Sequence, residues 1–239
     1  MIHEFDVIPA EPTSPGVVQL PLVAPTVYAT QILNAKDGIG YLRVGSIQPN
    51  TPRELELAIC ELRTRGMRVL VLDLRGNHGG NFMAGIAVAK QFIPHGIIVT
   101  TQGQVGEVSN RVFSSDSGMN ALEIPIVALI DTETASAAEV VVAALKDHNR
   151  AVLVGMPTFG KGAMQYPLKL SALDDASQPG VKSGTVRLTI AKLISPNGKP
   201  INGVGVTPDY LEADPTCQEE VAVQRAIELL RMPVRPVRE

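Results

Sequence analysis

The feature that most constrains this chain is a short, unbroken apolar run, Val69-Leu70-Val71-Leu72-Asp73-Leu74. It is too short for a helix and shows no alternation, so it reads as a strand buried on both faces. Residues 124–130 and 151–154 carry runs of the same kind. Between the runs the period changes to that of a helix. Leu55, Ala58, Ile59 and Leu62 recur three and four apart behind Thr51-Pro52-Arg53-Glu54. There Thr can cap, Pro suits the first helical position, and Glu sits three residues on. Gly66 ends that helix, and two more are predicted over 83–92 and 137–145. Strand and helix in alternation predict an α/β fold with a mostly parallel sheet and right-handed crossovers.

The flanks differ in character. Residues 1–16 hold Pro9, Pro12, Pro15 and Gly16 and read as an extended arm. Residues 17–33 are apolar and β-branched but broken by Pro21 and Pro25, which predicts edge segments. A turn over 34–38 leads to a strand over 40–45, and 97–100 is another strand. Residues 185–194 alternate and run into Pro196-Asn197-Gly198, a half-exposed antiparallel strand closed by a turn. Residues 216–231 form a last helix behind Thr216-x-x-Glu219.

Composition closes off several functions. Twenty-one Lys and Arg against 24 Asp and Glu give a net charge of −3, without the basic excess a nucleic-acid surface needs. Aromatic residues are 4% and Trp is absent, which leaves little to stack on single-stranded bases. With 45% hydrophobic residues among 239, the chain can bury a substantial core. No apolar run approaches the ~20 residues of an integral membrane span. Met1-Ile2-His3-Glu4-Phe5-Asp6 lacks the basic and apolar parts of a secretion signal. The chain is therefore expected to be cytoplasmic, or a trimmed piece of an exported protein. Cys60 and Cys217 lie far apart and read as free thiols. No His, Cys, Asp or Glu cluster has ligand spacing, so neither a metal nor a cofactor is expected.

Three segments carry residues unusual for their positions. In Asp73-Leu74-Arg75-Gly76-Asn77-His78-Gly79-Gly80 a buried strand runs through three glycines into a helix. Such a turn lets backbone N–H groups face a ligand oxygen, although a plain left-handed turn accounts for the glycines too. In Asp131-Thr132-Glu133-Thr134-Ala135-Ser136-Ala137-Ala138-Glu139 a serine opens a helix. A serine there is an ordinary cap, yet its small neighbours leave the approach open, and the helix N-terminus favours negative charge beside it. In Phe159-Gly160-Lys161-Gly162-Ala163-Met164-Gln165 a lysine stands between glycines just after a buried strand. Either it is an exposed turn residue, or the glycines admit it to a crowded apolar place where the neutral amine becomes a base. His3, His95 and His148 fall in the arm, a loop and a helix end, and only His78 is near a candidate segment, so a Ser-His-Asp triad has no support.

Taken in order, these segments resemble the carboxyl-terminal processing proteases, or tail-specific proteases, a family of serine peptidases. The family's signatures are D-L-R-x-N-x-G-G, A-S-A-[SA]-E and F-G-K-G, with the Lys 25 residues after the Ser. Here Ser136 and Lys161 are separated by 161 − 136 = 25 positions. The stretch from Leu188-Thr189 to Pro196-Asn197-Gly198, then Gly205-Val206-Thr207-Pro208-Asp209, is similar to the family's ending. The resemblance covers residues 36–209. It implies a crotonase-like spiral of βαβ units with a small added antiparallel β portion. It implies a polypeptide substrate, cleaved near its C-terminus through an acyl-enzyme. Ser136 maps onto the nucleophile, Lys161 onto the general base, and Gln165 onto a position that orients the lysine. The backbone N–H of Ala137, with that of Gly79 or Gly80, maps onto the oxyanion hole. It also implies a periplasmic or other extracytoplasmic setting.

Asp131 and Glu133 stand where relatives carry Asn and Gly. They place two carboxylates near the nucleophile and are expected to alter substrate charge preference. The resemblance divides the chain into 1–35, an arm and linker; 36–212, the peptidase core; and 213–239, a helix and tail. Residues 1–35 are too few for the PDZ domain that precedes the core in most relatives, so an upstream PDZ domain or self-association is the expected partner. Two rival readings are an acyl-thioester enzyme on the same superfold and a non-catalytic scaffold. The first leaves Lys161 and Gln165 unexplained; the second is disfavoured by the presence of both Ser136 and Lys161.

Overall fold

The computed structural model describes residues 7–9, 25–103, 110–116, 122–169 and 184–231. In chain order these form β1 (Val7–Pro9), β2 (Val27–Asn34), β3 (Ile39–Val44), α1 (Thr51–Thr64), β4 (Val69–Asp73) and α2 (Phe82–Lys90). There follow β5 (Gly96–Gly103), β6 (Val112–Ser115), β7 (Ile126–Ile130), α3 (Ala137–Asp147), β8 (Val152–Gly155) and β9 (Ala163–Lys169). The last elements are β10 (Gly184–Ile194), β11 (Tyr210–Leu211) and α4 (Pro215–Arg231). Segment 10–24, read as arm and linker, lies outside the described residues.

Two sheets carry a mixed α/β fold. One has the order β11-β8-β7-β4-β3-β2, parallel throughout except where β2 joins β3 antiparallel. The other runs β1-β10-β5-β6, with β9 pairing β10, and its pairings are antiparallel. The strand expected from the alternation over 185–194 is thus the hub of the antiparallel sheet. The expected edge segment appears as β2, and three residues of the expected arm pair with β10 as β1.

The unbroken apolar run follows from what covers each face. Leu70 and Leu72 of β4 join the cluster that holds Leu55, Leu62, Ile86 and Val141 of α1, α2 and α3. Val69 and Val71 face the other way, into a cluster with Ala222 and Ala226 of α4. Every residue of β4 is buried. Each large side chain buried this way contributes ~1.5–3 kcal/mol, so neither face tolerates a polar residue without a partner.

The starts of α1 and α4 differ from expectation. Asn50, not Thr51, is the cap position of α1. Thr51 is fully buried; its Oγ1 accepts from the Gln48 N–H at 2.8 Å and donates to Thr26 Oγ1 at 2.7 Å. α4 begins one residue early, at Pro215, because Asp214 Oδ1 accepts from both the N–H and Oγ1 of Thr216.

Glu54 ties β2 to α1. Its Oε2 accepts from the Thr26 N–H and hydroxyl, both at 2.8 Å, and from the Val27 N–H at 3.2 Å; Oε1 accepts from Asn50 at 2.6 Å. Burial alone would raise this carboxyl, but the donors outweigh it and hold it below its ordinary value of 4.5. A carboxyl depressed on folding contributes stability above its unfolded value, lost as pH falls through the folded one. Glu54→Gln should therefore lower the thermal unfolding midpoint at neutral pH, and the gap to wild type should close on acidification below 4.5. A gap independent of pH would show that the charge contributes nothing.

Candidate active site

Parallel pairing of β3, β4, β7 and β8 puts the C-terminal ends of these strands on one edge of the sheet. The three unusual segments are the loops that leave β4, β7 and β8 there. Sequence spacing alone does not require this meeting; the topology produces it.

The loop after β7 is fixed by Asp131. Its carboxylate accepts from the N–H groups of Gly76, Glu133 and Thr134. Thr134 Oγ1 donates to the Leu74 carbonyl at 3.0 Å, and the Ala135 N–H donates to Asn77 O at 2.9 Å. The Asp131 carboxylate is thus spent on backbone, and of the two expected substrate-facing acids only Glu133 is exposed. Ser136 closes the loop with φ +58°, a conformation that costs a non-glycine residue ~1–3 kcal/mol and is maintained by its surroundings.

Those surroundings centre on Glu139, which is fully buried in the first turn of α3. Its Oε2 accepts from the backbone N–H of Ser136 and from that of Lys161, each at 2.8 Å. Its Oε1 accepts from Thr158 Oγ1 at 2.6 Å and from the Gly160 N–H at 2.7 Å. One carboxylate thus binds the loop that carries Ser136 to the loop that carries Lys161. The signal was in the sequence, since Ser136-Ala-Ala-Glu139 is a capping box. Its second use, reaching 22 residues downstream, was not.

Replacing Glu139 by Gln tests that bridge. An amide keeps the volume but turns an NH2 toward two of the four donors, leaving buried N–H or O–H groups unpaired at ~1–3 kcal/mol. The unfolding midpoint should fall and turnover with it. A Gln variant as stable and active as wild type would mean that the two loops hold together without the carboxylate.

The loop after β4 is shaped by Asn77, fully buried. Its Nδ2 donates to the Val44 carbonyl at 2.8 Å, and its Oδ1 accepts the Gly79 N–H at 2.9 Å. Ile47 donates to Gly79 O and accepts from the Asn81 N–H, so the Gly80 N–H between them is turned away from Ile47. Gly79 presses on the nucleophile loop. A Cβ there would lie 2.5 Å from the Ala135 carbonyl oxygen and 2.9 Å from Ser136 Cβ. Among the described residues no acceptor takes the N–H of Gly80 or that of Ala137, the first residue of α3. Of the two glycines, then, Gly79 has its N–H engaged by Asn77 and Gly80 does not. His78 is exposed.

Of the two readings open for Lys161, the structure matches the exposed turn residue and not the crowded apolar place. Its flanking glycines serve close backbone approach instead. A Cβ on Gly160 would lie 3.1 Å from the Gly205 nitrogen, and one on Gly162 would lie 2.2 Å from the Asn202 nitrogen. Among the described residues Lys161 Nζ makes no hydrogen bond or ion pair. Gln165 stands on β9 opposite Thr189, exposed and not bonded to Lys161. Gly205 and Val206 clasp the same loop, since Val206 donates to Thr158 Oγ1 at 2.8 Å and accepts from the Thr158 N–H at 3.0 Å. Cys60 and Cys217 are free and exposed. Among the described residues no helix is long and apolar enough to cross a membrane.

Comparison with known proteins leads to one family. The model of Peptidase family S41 matches residues 38–211. The chloroplastic C-terminal processing peptidase of Tetradesmus obliquus is 37% identical over 181 residues, covering 76% of this chain and 36% of that protein. The carboxyl-terminal-processing protease of a Synechocystis strain is 33% identical over 218 residues, covering 87% of this chain and 48% of its own. Among solved structures, a photosystem II D1 C-terminal processing protease aligns with a TM-score of 0.64 at 34% identity, over 78% of this chain and 46% of that one. The chain spans less than half the length of these curated relatives.

Proposed function

The chain belongs to peptidase family S41, and on that premise we propose that it is a serine endopeptidase that cleaves polypeptides near their C-termini. Ser136 is the nucleophile, Lys161 the general base, and Gln165 the residue that orients Lys161. The backbone N–H groups of Gly80 and Ala137 form the oxyanion hole. The observation that carries this reading is that, where the Gly79-Gly80 turn packs on the Ser136 loop, the N–H groups of Gly80 and Ala137 have no acceptor among the described residues. One begins a helix, where the dipole favours negative charge.

In the first step Lys161 Nζ, as the neutral amine, takes the Ser136 hydroxyl proton while Oγ bonds the substrate carbonyl carbon. The carbonyl oxygen becomes an oxyanion held by the two N–H groups, the largest electrostatic contribution in acyl transfer. The intermediate collapses, the C–N bond breaks, and Lys161 returns the proton to the departing amine. Water then attacks the acyl-Ser136 ester with Lys161 again as base, releasing the new carboxylate and restoring the hydroxyl. Lys161 Nζ makes no hydrogen bond among the described residues, so it must come within hydrogen-bond reach of Ser136 Oγ for the first step.

We place the peptidase core at 36–212, flanked by 1–35 and 213–239, and read the βαβ succession as the crotonase-like spiral. An upstream PDZ domain or a second copy of the chain is the proposed partner. The test is digestion of an unstructured polypeptide with products identified by mass. New carboxyl ends near the original C-terminus are expected; an uncut substrate would overturn the proposal.

A further inference from the structure

The face of the parallel sheet remote from α1, α2 and α3 is covered by α4, and α4 reaches the catalytic edge through one side chain. Gln218 is 2% exposed. Its Nε2 donates to the Glu212 carbonyl at 2.8 Å, and its Oε1 accepts from Arg75 Nη1 at 3.1 Å. Arg75 Nη1 also donates to the Pro215 carbonyl at 3.2 Å. The opposite edge of the guanidinium is clamped by Asp73, with Nε–Oδ1 at 2.9 Å and Nη2–Oδ2 at 2.6 Å. Asp73 is fully buried and is held further by the Tyr41 hydroxyl at 2.6 Å. Burial, and then this carboxylate, push the Tyr41 hydroxyl upward, so it stays a donor. A guanidinium offers its donors in one rigid plane, so partners on two edges fix its direction.

Arg75 also lies in the loop that carries Asn77 and Gly80, two residues past the end of β4. Its own N–H donates to Asp73 Oδ1 at 2.9 Å. We propose that Gln218 is a positioning residue for the reaction, holding the oxyanion loop in register through Arg75 and making α4 part of the catalytic assembly. This rests on the reading of Gly80 as an oxyanion donor.

The test uses the full chain and three variants. Gln218→Leu keeps the volume and removes the acceptor. Gln218→Glu keeps an oxygen for Arg75. Ala222→Gly loosens α4 without touching Arg75. Peptide hydrolysis, fluorophosphonate labelling of Ser136 and thermal unfolding are measured on each. Gln218→Leu should lower kcat about tenfold with KM unchanged, less than the ~10²-fold or more for deleting an oxyanion donor. Gln218→Glu should lose less kcat than Gln218→Leu, since the charge-assisted bond to Arg75 is kept although the donor to the Glu212 carbonyl is lost. Ala222→Gly should lower the unfolding midpoint and leave kcat unchanged. Wild-type kcat in Gln218→Leu, or an equal loss in Ala222→Gly, would each overturn the inference while leaving Ser136 as nucleophile. A wild-type chain that neither cleaves nor labels would overturn that reading and this inference with it.

Discussion

Ser136→Ala should abolish peptide hydrolysis, by ~10⁴-fold or more, and leave the fold intact. The neighbours Ala135, Ala137 and Ala138 carry no nucleophile to take the place of Oγ. The loop does not depend on the hydroxyl. The Ser136 N–H still donates to Glu139, Ala135 still pairs with Asn77, and Asp131 still gathers its three N–H donors. Loss of a helix cap costs ~1 kcal/mol at most positions, a small shift in the unfolding midpoint. The check is kcat on one peptide together with thermal unfolding. Retained turnover in a folded variant would remove Ser136 from the mechanism.

Lys161→Arg should also be inactive, by about 10²–10⁴-fold in kcat, although the charge is kept. A guanidinium stays protonated at any working pH and cannot accept the Ser136 proton. The variant is clean because Glu139 binds residue 161 through its backbone N–H, which an arginine retains. It therefore separates a base from a cation that merely anchors substrate. Near-normal kcat in the Arg variant would assign Lys161 to anchoring.

The parts of this protein legible in its sequence are those decided locally. β4 and β7 stand out because helices cover both faces of their sheet, so Val69 to Leu72 and Ile126 to Ile130 admit no polar residue. Gly66, with φ +88°, ends α1 as its position suggests. What is decided by distant contacts is not legible. Thr51 looks like a cap until Thr26, 25 residues earlier, claims its hydroxyl. Gly79 and Gly80 are equivalent in sequence until Asn77 takes one N–H and Ile47 orients the loop around the other. The glycines beside Lys161 read as making room for the lysine, whereas they make room for the backbone at 202–205. β1 depends on pairing with β10, more than 170 positions away, with Val7 opposite Val186.

The central claim is that Ser136 is activated by Lys161 across two loops that Glu139 holds together. It is tested most directly by fluorophosphonate labelling followed by mass mapping of the peptides, on wild type and on Lys161→Arg. The account predicts a single label, on Ser136, formed readily in wild type and at a collapsed rate in the Arg variant. Equal labelling of the two proteins, or a label on any residue other than Ser136 in a chain that cleaves peptide, would contradict it.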